Sequence, residues 1–183
     1  MTLDQELIYV VMIGDYSQFL GLIKRGANIN TRDEFGRTPL MISAIRGDEI
    51  ACDIFLSRGA KIGCKDIDGH TALHFFDFTG NQLICRKLIL FGAAINMKAK
   101  NGYTPIQAAA ASGHFQTCFE LLELGAVYES PHAYDEYNKS KYLACDAAIC
   151  AYLAKKQALR ATDQGLHKKN ESALRSHKLR VFE

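Results

Sequence analysis

The chain has 183 residues, 48% of them hydrophobic, which is enough for a well-filled core and excludes wholesale disorder. Its formal charge of +2 hides an asymmetry: residues 155–183 carry eight Lys/Arg against three Asp/Glu, leaving fourteen against seventeen for residues 1–154. No apolar run reaches the ~20 residues of a membrane span, and Asp4 and Glu6 stand where a leader would be basic, so a cytosolic or nuclear protein is expected.

One period runs through the chain. Gly14, Gly47, Gly80 and Gly113 follow one another at 33 residues, as do Gly26, Gly59, Gly92 and Gly125, and as do Gly36, Gly69 and Gly102. The front unit, Leu7 to Leu22, reads as two helices without a Thr-Pro entry or a complete preceding hairpin. In the second unit Thr38 caps a helix, Pro39 takes its first position, and Gly47 supplies a positive-φ stop. Glu49 to Ser57 then places Ile50, Ile54 and Phe55 at helical spacing before Gly59, and the extended turn is centred on Asp33 and Gly36. Thr71-Ala72-Leu73 opens the third unit and Thr104-Pro105-Ile106 the fourth. Further on, Asp135 falls on the next glycine position and Tyr142 to Leu159 reads as helical. Two short helices cannot bury their apolar faces alone, so stability must come from stacked neighbours with atypical units at the ends.

Other residues keep the same beat: Arg25-Gly26-Ala27, Arg58-Gly59-Ala60, Phe91-Gly92-Ala93 and Leu124-Gly125-Ala126. With the Thr-Pro-Leu entries, they make the chain resemble the ankyrin-repeat family over roughly residues 3–130. The resemblance implies an all-α solenoid of stacked helix-turn-helix units with protruding β-hairpin loops. About four units are expected, near 1–32, 33–65, 66–98 and 99–130, followed by a degenerate helical cap over 131–159 and a basic tail over 160–183.

Cys52, Cys85 and Cys118 share the period. Stacked helices lie ~8–10 Å apart and a disulfide needs Cα atoms within ~7 Å, so these three read as small buried hydrophobes. Cys145 and Cys150, five residues apart, point to different faces of one helix, and no Cys/His cluster has zinc spacing. His74 falls on the histidine of the family's Thr-Pro-Leu-His entry and His114 on its frequent Gly-His, which makes both structural. No phosphate loop, nucleophile elbow or HExxH occurs, and the reading calls for no catalytic residue, metal or cofactor.

In the ankyrin family the partner usually lies against hairpin tips and inner, concave helices. Carried over by position, the resemblance implies Glu34, Phe35, Arg37, Ile45 and Arg46 in the second unit. In the third it implies Ile67, Asp68, His70, Phe78 and Thr79, and in the fourth Lys100, Asn101, Tyr103, Ala111 and Ser112. Phe35, Ile67 and Tyr103 put apolar groups on three successive tips, which suggests an interface, the alternative being that each packs on its neighbouring hairpin. The third unit also carries Phe76 and Asp77 where the family prefers small residues. Small neighbours at Ser43, Ala44 and Ala108 to Ala111 suggest that Phe76 fills space, while Asp77 either is buried with a partner or faces the groove and joins the binding residues. The expected function is therefore a monomeric, non-catalytic protein-binding module, an adaptor or scaffold. Rival readings are a nucleic-acid or anionic-membrane adaptor working through the 160–183 tail, a bacterial or viral effector acting on host proteins, and an enzyme with a site around Cys145 or His132.

Overall fold

The computed structural model describes residues 1–75, 81–129 and 143–162. The chain divides into two compact units, Met1–Asp146 and Ala147–Glu183. The first holds paired helices in chain order: α1 (Leu3–Ile13) with α2 (Tyr16–Lys24), α3 (Pro39–Ile45) with α4 (Glu49–Ser57), α5 (Ala72–Phe75) with α6 (Gln82–Leu90), and α7 (Pro105–Ser112) with α8 (Phe115–Glu123). Residues 143–146 are also helical, as are residues 147–162 of the second unit. Phe76, Asp77, Phe78, Thr79, His132 and the tail beyond 162 lie outside the described residues, and with them the volume-filling expectation for Phe76.

Local chemistry explains where helices start. Thr38 accepts the Met41 N–H with Pro39 at the first helical position, and the second helices begin at Asp15, Asp48, Asn81 and His114, which share the 33-residue register. The Asp and Asn side chains each accept a first-turn backbone N–H. The front unit lacks a Thr-Pro entry, as expected, since Leu3 follows Thr2. It does have a threonine entry, because Thr2 caps α1 and forms a reciprocal capping box with Gln5. At 11 residues against seven in α3, α1 carries an extra turn, which moves Thr2 out of register with Thr38.

The first helices pack against one another along the array, α1 on α3, α3 on α5 and α5 on α7, and the second helices stack alongside. Three columns at the repeat spacing form the core: Leu7, Leu40, Leu73 and Ile106; Leu22, Phe55, Leu88 and Leu121; and Phe19, Cys52, Cys85 and Cys118, all at most 2% exposed. Each large apolar member contributes roughly 1.5–3 kcal/mol by leaving water. Phe19 and Phe55 also stack with ring centroids 5.4 Å apart. Ile50, expected on the apolar face of α4, is instead 59% exposed, since the helix turns Ala51, Cys52, Phe55 and Leu56 inward.

Between units the chain projects fingers that are tight turns; no strand forms among the described residues. Neighbouring fingers are tied by single backbone bonds, Ile67 N–H to the Phe35 carbonyl at 3.0 Å and Lys100 N–H to the Asp68 carbonyl at 2.8 Å. Behind them, the Asn30 side chain accepts the Lys61 N–H at 2.7 Å and Asn96 accepts the Val127 N–H at 2.9 Å. The residue in register between these two asparagines is Gly63, which has no side chain to offer.

Candidate interaction surface

Each finger is built on its root residue. The Asp33 carboxylate accepts the N–H groups of Phe35 and Arg37 at 3.0 and 2.7 Å and the Arg37 Nε at 2.7 Å. Asp66 likewise accepts from the Asp68 and His70 N–H groups at 2.9 and 2.7 Å. The third finger has Ala99 at this position, and its turn is closed by Asn101, which accepts the Tyr103 N–H at 3.0 Å. The glycine of each turn adopts positive φ, as at Gly69 (81°) and Gly102 (82°).

This construction sorts the candidate residues into two sets. Glu34 and Phe35, Ile67 and Asp68, and Lys100 and Asn101 stand exposed at the tips. Arg37, His70 and Tyr103 share the next register position, at the foot of the finger, and are half-buried. Arg37 is committed internally: it pairs with Asp33 and lies 4.5 Å over the Phe35 ring. The His70 ring packs on His74 and Phe75, with centroids 5.4 and 5.5 Å away. Tyr103 is therefore not a third tip beside Phe35 and Ile67. Its carbonyl lies 3.3 Å from His74 Nε2, beneath the finger. Ile45 is half-buried, Arg46 and Ser112 are exposed at the ends of their helices, and the Arg46 guanidinium donates to the Met12 carbonyl across the unit boundary. Asp77, Phe78 and Thr79 lie outside the described residues.

The structure adds residues that sequence reasoning missed. A groove of about 320 Å³ opens between α1 and the first finger, lined by Gln5, Ile8, Met12 and Thr31 through Phe35 with Arg37. Met12 is 47% exposed, Phe35 is 45% exposed, and Ile67 on the adjoining finger is 50% exposed. The signal lay in α1 itself, where Tyr9, Met12 and Ile13 form an apolar i, i+3, i+4 set beyond the buried Leu7, Val10 and Val11. Arg32 frames the groove and donates to the carbonyls of Gly36 and Lys65 at 2.8 and 2.6 Å.

The titratable groups inside the array serve packing. Burial pushes the Cys52 and Cys85 thiols up to about 12, so both stay protonated and are poor nucleophiles. Burial also pushes His74 down to about 4. In its neutral form Nδ1 accepts from the Thr71 N–H at 3.0 Å, and Nε2 carries the hydrogen toward Tyr103. This is the structural role expected of it. Asp66, Asp68 and His70 bring one potential ligand atom each within 4.8 Å of one another, but Asp66 already serves as acceptor for its turn. No helix among the described residues is long and apolar enough to cross a membrane.

Compared with known proteins, the chain matches the family model described as Ankyrin repeats (3 copies) over residues 7–76 and 50–132. No curated protein matches it.

Proposed function

The chain belongs to the ankyrin-repeat family, whose repeats generally bind proteins and are typically non-catalytic, and from that premise we propose that it is a monomeric adaptor gripping one protein partner by its finger tips and first-helix side. The observation that carries this reading is the groove beside α1, where Met12 and Phe35 remain half in water, with Ile67 half exposed on the adjoining finger. Exposed apolar groups framed by polar ones are the usual centre of a protein interface, where a few buried anchors supply most of the affinity. The hydrogen bonds within each finger and between neighbours hold these anchors in one geometry, so little entropy is lost on docking. Glu34, Asp68, Lys100, Asn101 and Ser112 form the polar surround and set charge preference rather than affinity. The cytosol or nucleus suits a binder of this kind.

Affinity purification of the full chain from its native cell, with Phe35→Ala and Met12→Ala run beside wild type, tests the proposal. The expected result is a partner recovered with wild type and reduced about tenfold or more by either substitution, with Tm shifted by less than ~2 °C in each variant. A partner retained undiminished by both variants would move the interface elsewhere.

A further inference from the structure

The cysteine column ends at Cys118, and there the fold supplies a neighbour that the period does not. Cys145, within the helical residues 143–146, sets its Sγ 3.7 Å from the Sγ of Cys118, and both residues are 0% exposed. Within the column, members are one repeat apart and beyond disulfide reach. Here the sulfurs touch. The Cys118 thiol lies 3.7 Å from the Ile106 carbonyl on α7, to which it donates. Next to Cys145, Asp146 accepts the Tyr128 hydroxyl at 2.6 Å, which pins the turn carrying the second thiol. Both sulfurs are thus held from their own side of the contact.

We propose that Cys118 and Cys145 are a redox pair that closes to a disulfide in oxidising conditions and clasps residues 143–146 onto the fourth repeat. The oxidant is a small disulfide such as oxidised glutathione. One protein thiolate attacks it, forming a mixed disulfide and releasing one glutathione thiolate. The second protein thiolate then attacks the protein sulfur of that mixed disulfide and releases the other glutathione. Overall, two protein thiols lose two electrons and two protons, and one oxidised glutathione becomes two reduced ones. A finished S–S bond of ~2.05 Å asks the sulfurs to approach by only ~1.7 Å. Because both are shielded from solvent, reaction waits on local opening at 143–146, so closure is slow and mild denaturant below the global transition accelerates it. Cys150, exposed further along the helix, has ready access to the same oxidant.

The test equilibrates the full chain in glutathione buffers of increasing oxidised fraction, then quenches with acid, alkylates in urea and maps peptides without reduction. The expected result is a linked peptide pair joining Cys118 to Cys145, with these two thiols lost together and independently of protein concentration. For the 27-residue separation, Tm should rise by about 10 °C on closure. Cys145→Ala should abolish the link and the rise, whereas Cys150→Ala should leave both. The proposal is overturned if Cys118 and Cys145 both remain alkylatable in a buffer that places glutathione on Cys150, or if either is linked to a different cysteine.

Discussion

The finger rooted at Asp66 and the finger rooted at Ala99 trace the same turn by different means. In the first, one carboxylate gathers two backbone N–H groups, and the turn glycine lies against the next finger, where a Cβ on Gly69 would come within 2.9 Å of Lys100 N. In the second, Asn101 takes over part of the acceptor role, and among the described residues a Cβ on Gly102 would meet nothing within 4 Å. The helix entries show the same exchange. Thr38, Thr71 and Thr104 each have their N–H met by the side chain three residues on, which is Met41, His74 and Gln107 in turn. What recurs is a set of backbone groups needing partners; the side chain that satisfies them is replaceable, provided it reaches.

If that contrast is right, the largest effect comes from closing the space between fingers. Gly69→Ala should cost roughly 3 kcal/mol or more, since left-handed strain adds to a backbone clash, while Gly102→Ala should cost about 1–2 kcal/mol from strain alone. Urea unfolding of both variants measures the gap, and equal losses would mean that finger-to-finger contact contributes nothing. The entry helices offer the next comparison. His74 is neutral in the fold, with its pKa depressed from 6.5 to about 4, so between those values the unfolded chain holds a proton that the folded chain lacks. Stability is therefore fully present above pH 6.5 and falls as pH drops toward 4, by an amount on the order of 3 kcal/mol, with no further loss from this group below. His74→Gln, which borrows the Gln107 solution, should remove that share of the slope in unfolding experiments at pH 7, 5.5 and 4, while changing stability at pH 7 by less than about 1.5 kcal/mol.

Smaller effects test the finger roots. Asp33→Ala strips an acceptor from two N–H groups and from Arg37, and should cost about 2 kcal/mol by thermal unfolding. The converse change, Ala99→Asp, gives the third finger the root its neighbours have, within reach of Asn101 N and Tyr103 N. It should add about 0.5–1 kcal/mol, and a destabilised variant would show that the third finger is shaped for Ala99.

The architecture was legible because its punctuation is glycine, and only glycine fits the positive-φ positions that end helices and close turns here. The surface was less legible. A period aligns positions but says nothing about which way a foot residue turns, so Tyr103 read as a tip although it shares a register with Arg37 and His70, and the fold places that position half-buried at the foot of the finger. Ile50 fitted a helical apolar pattern yet faces water, because four other residues of α4 already fill the inward side. Thr2 and the groove on α1 were hidden by the extra turn, which shifts the front unit out of step. The Cys118–Cys145 contact joins a periodic residue to one outside the period, where self-comparison has no purchase.

Gly63 gives the stack an uneven mechanical character. Under tension applied along the array, load passes between successive loops through the Asn30 link and the Asn96 link, but at the boundary between them no equivalent strap exists. That boundary is held instead by the finger bond from Lys100 to Asp68, by Lys65 Nζ reaching the Lys98 carbonyl at 3.5 Å, by the Arg86–Glu120 ion pair between α6 and α8, and by the core. Part of the load there runs through a long lysine side chain and an ion pair whose arginine is more than half exposed, so this joint should soften under tension as ionic strength rises.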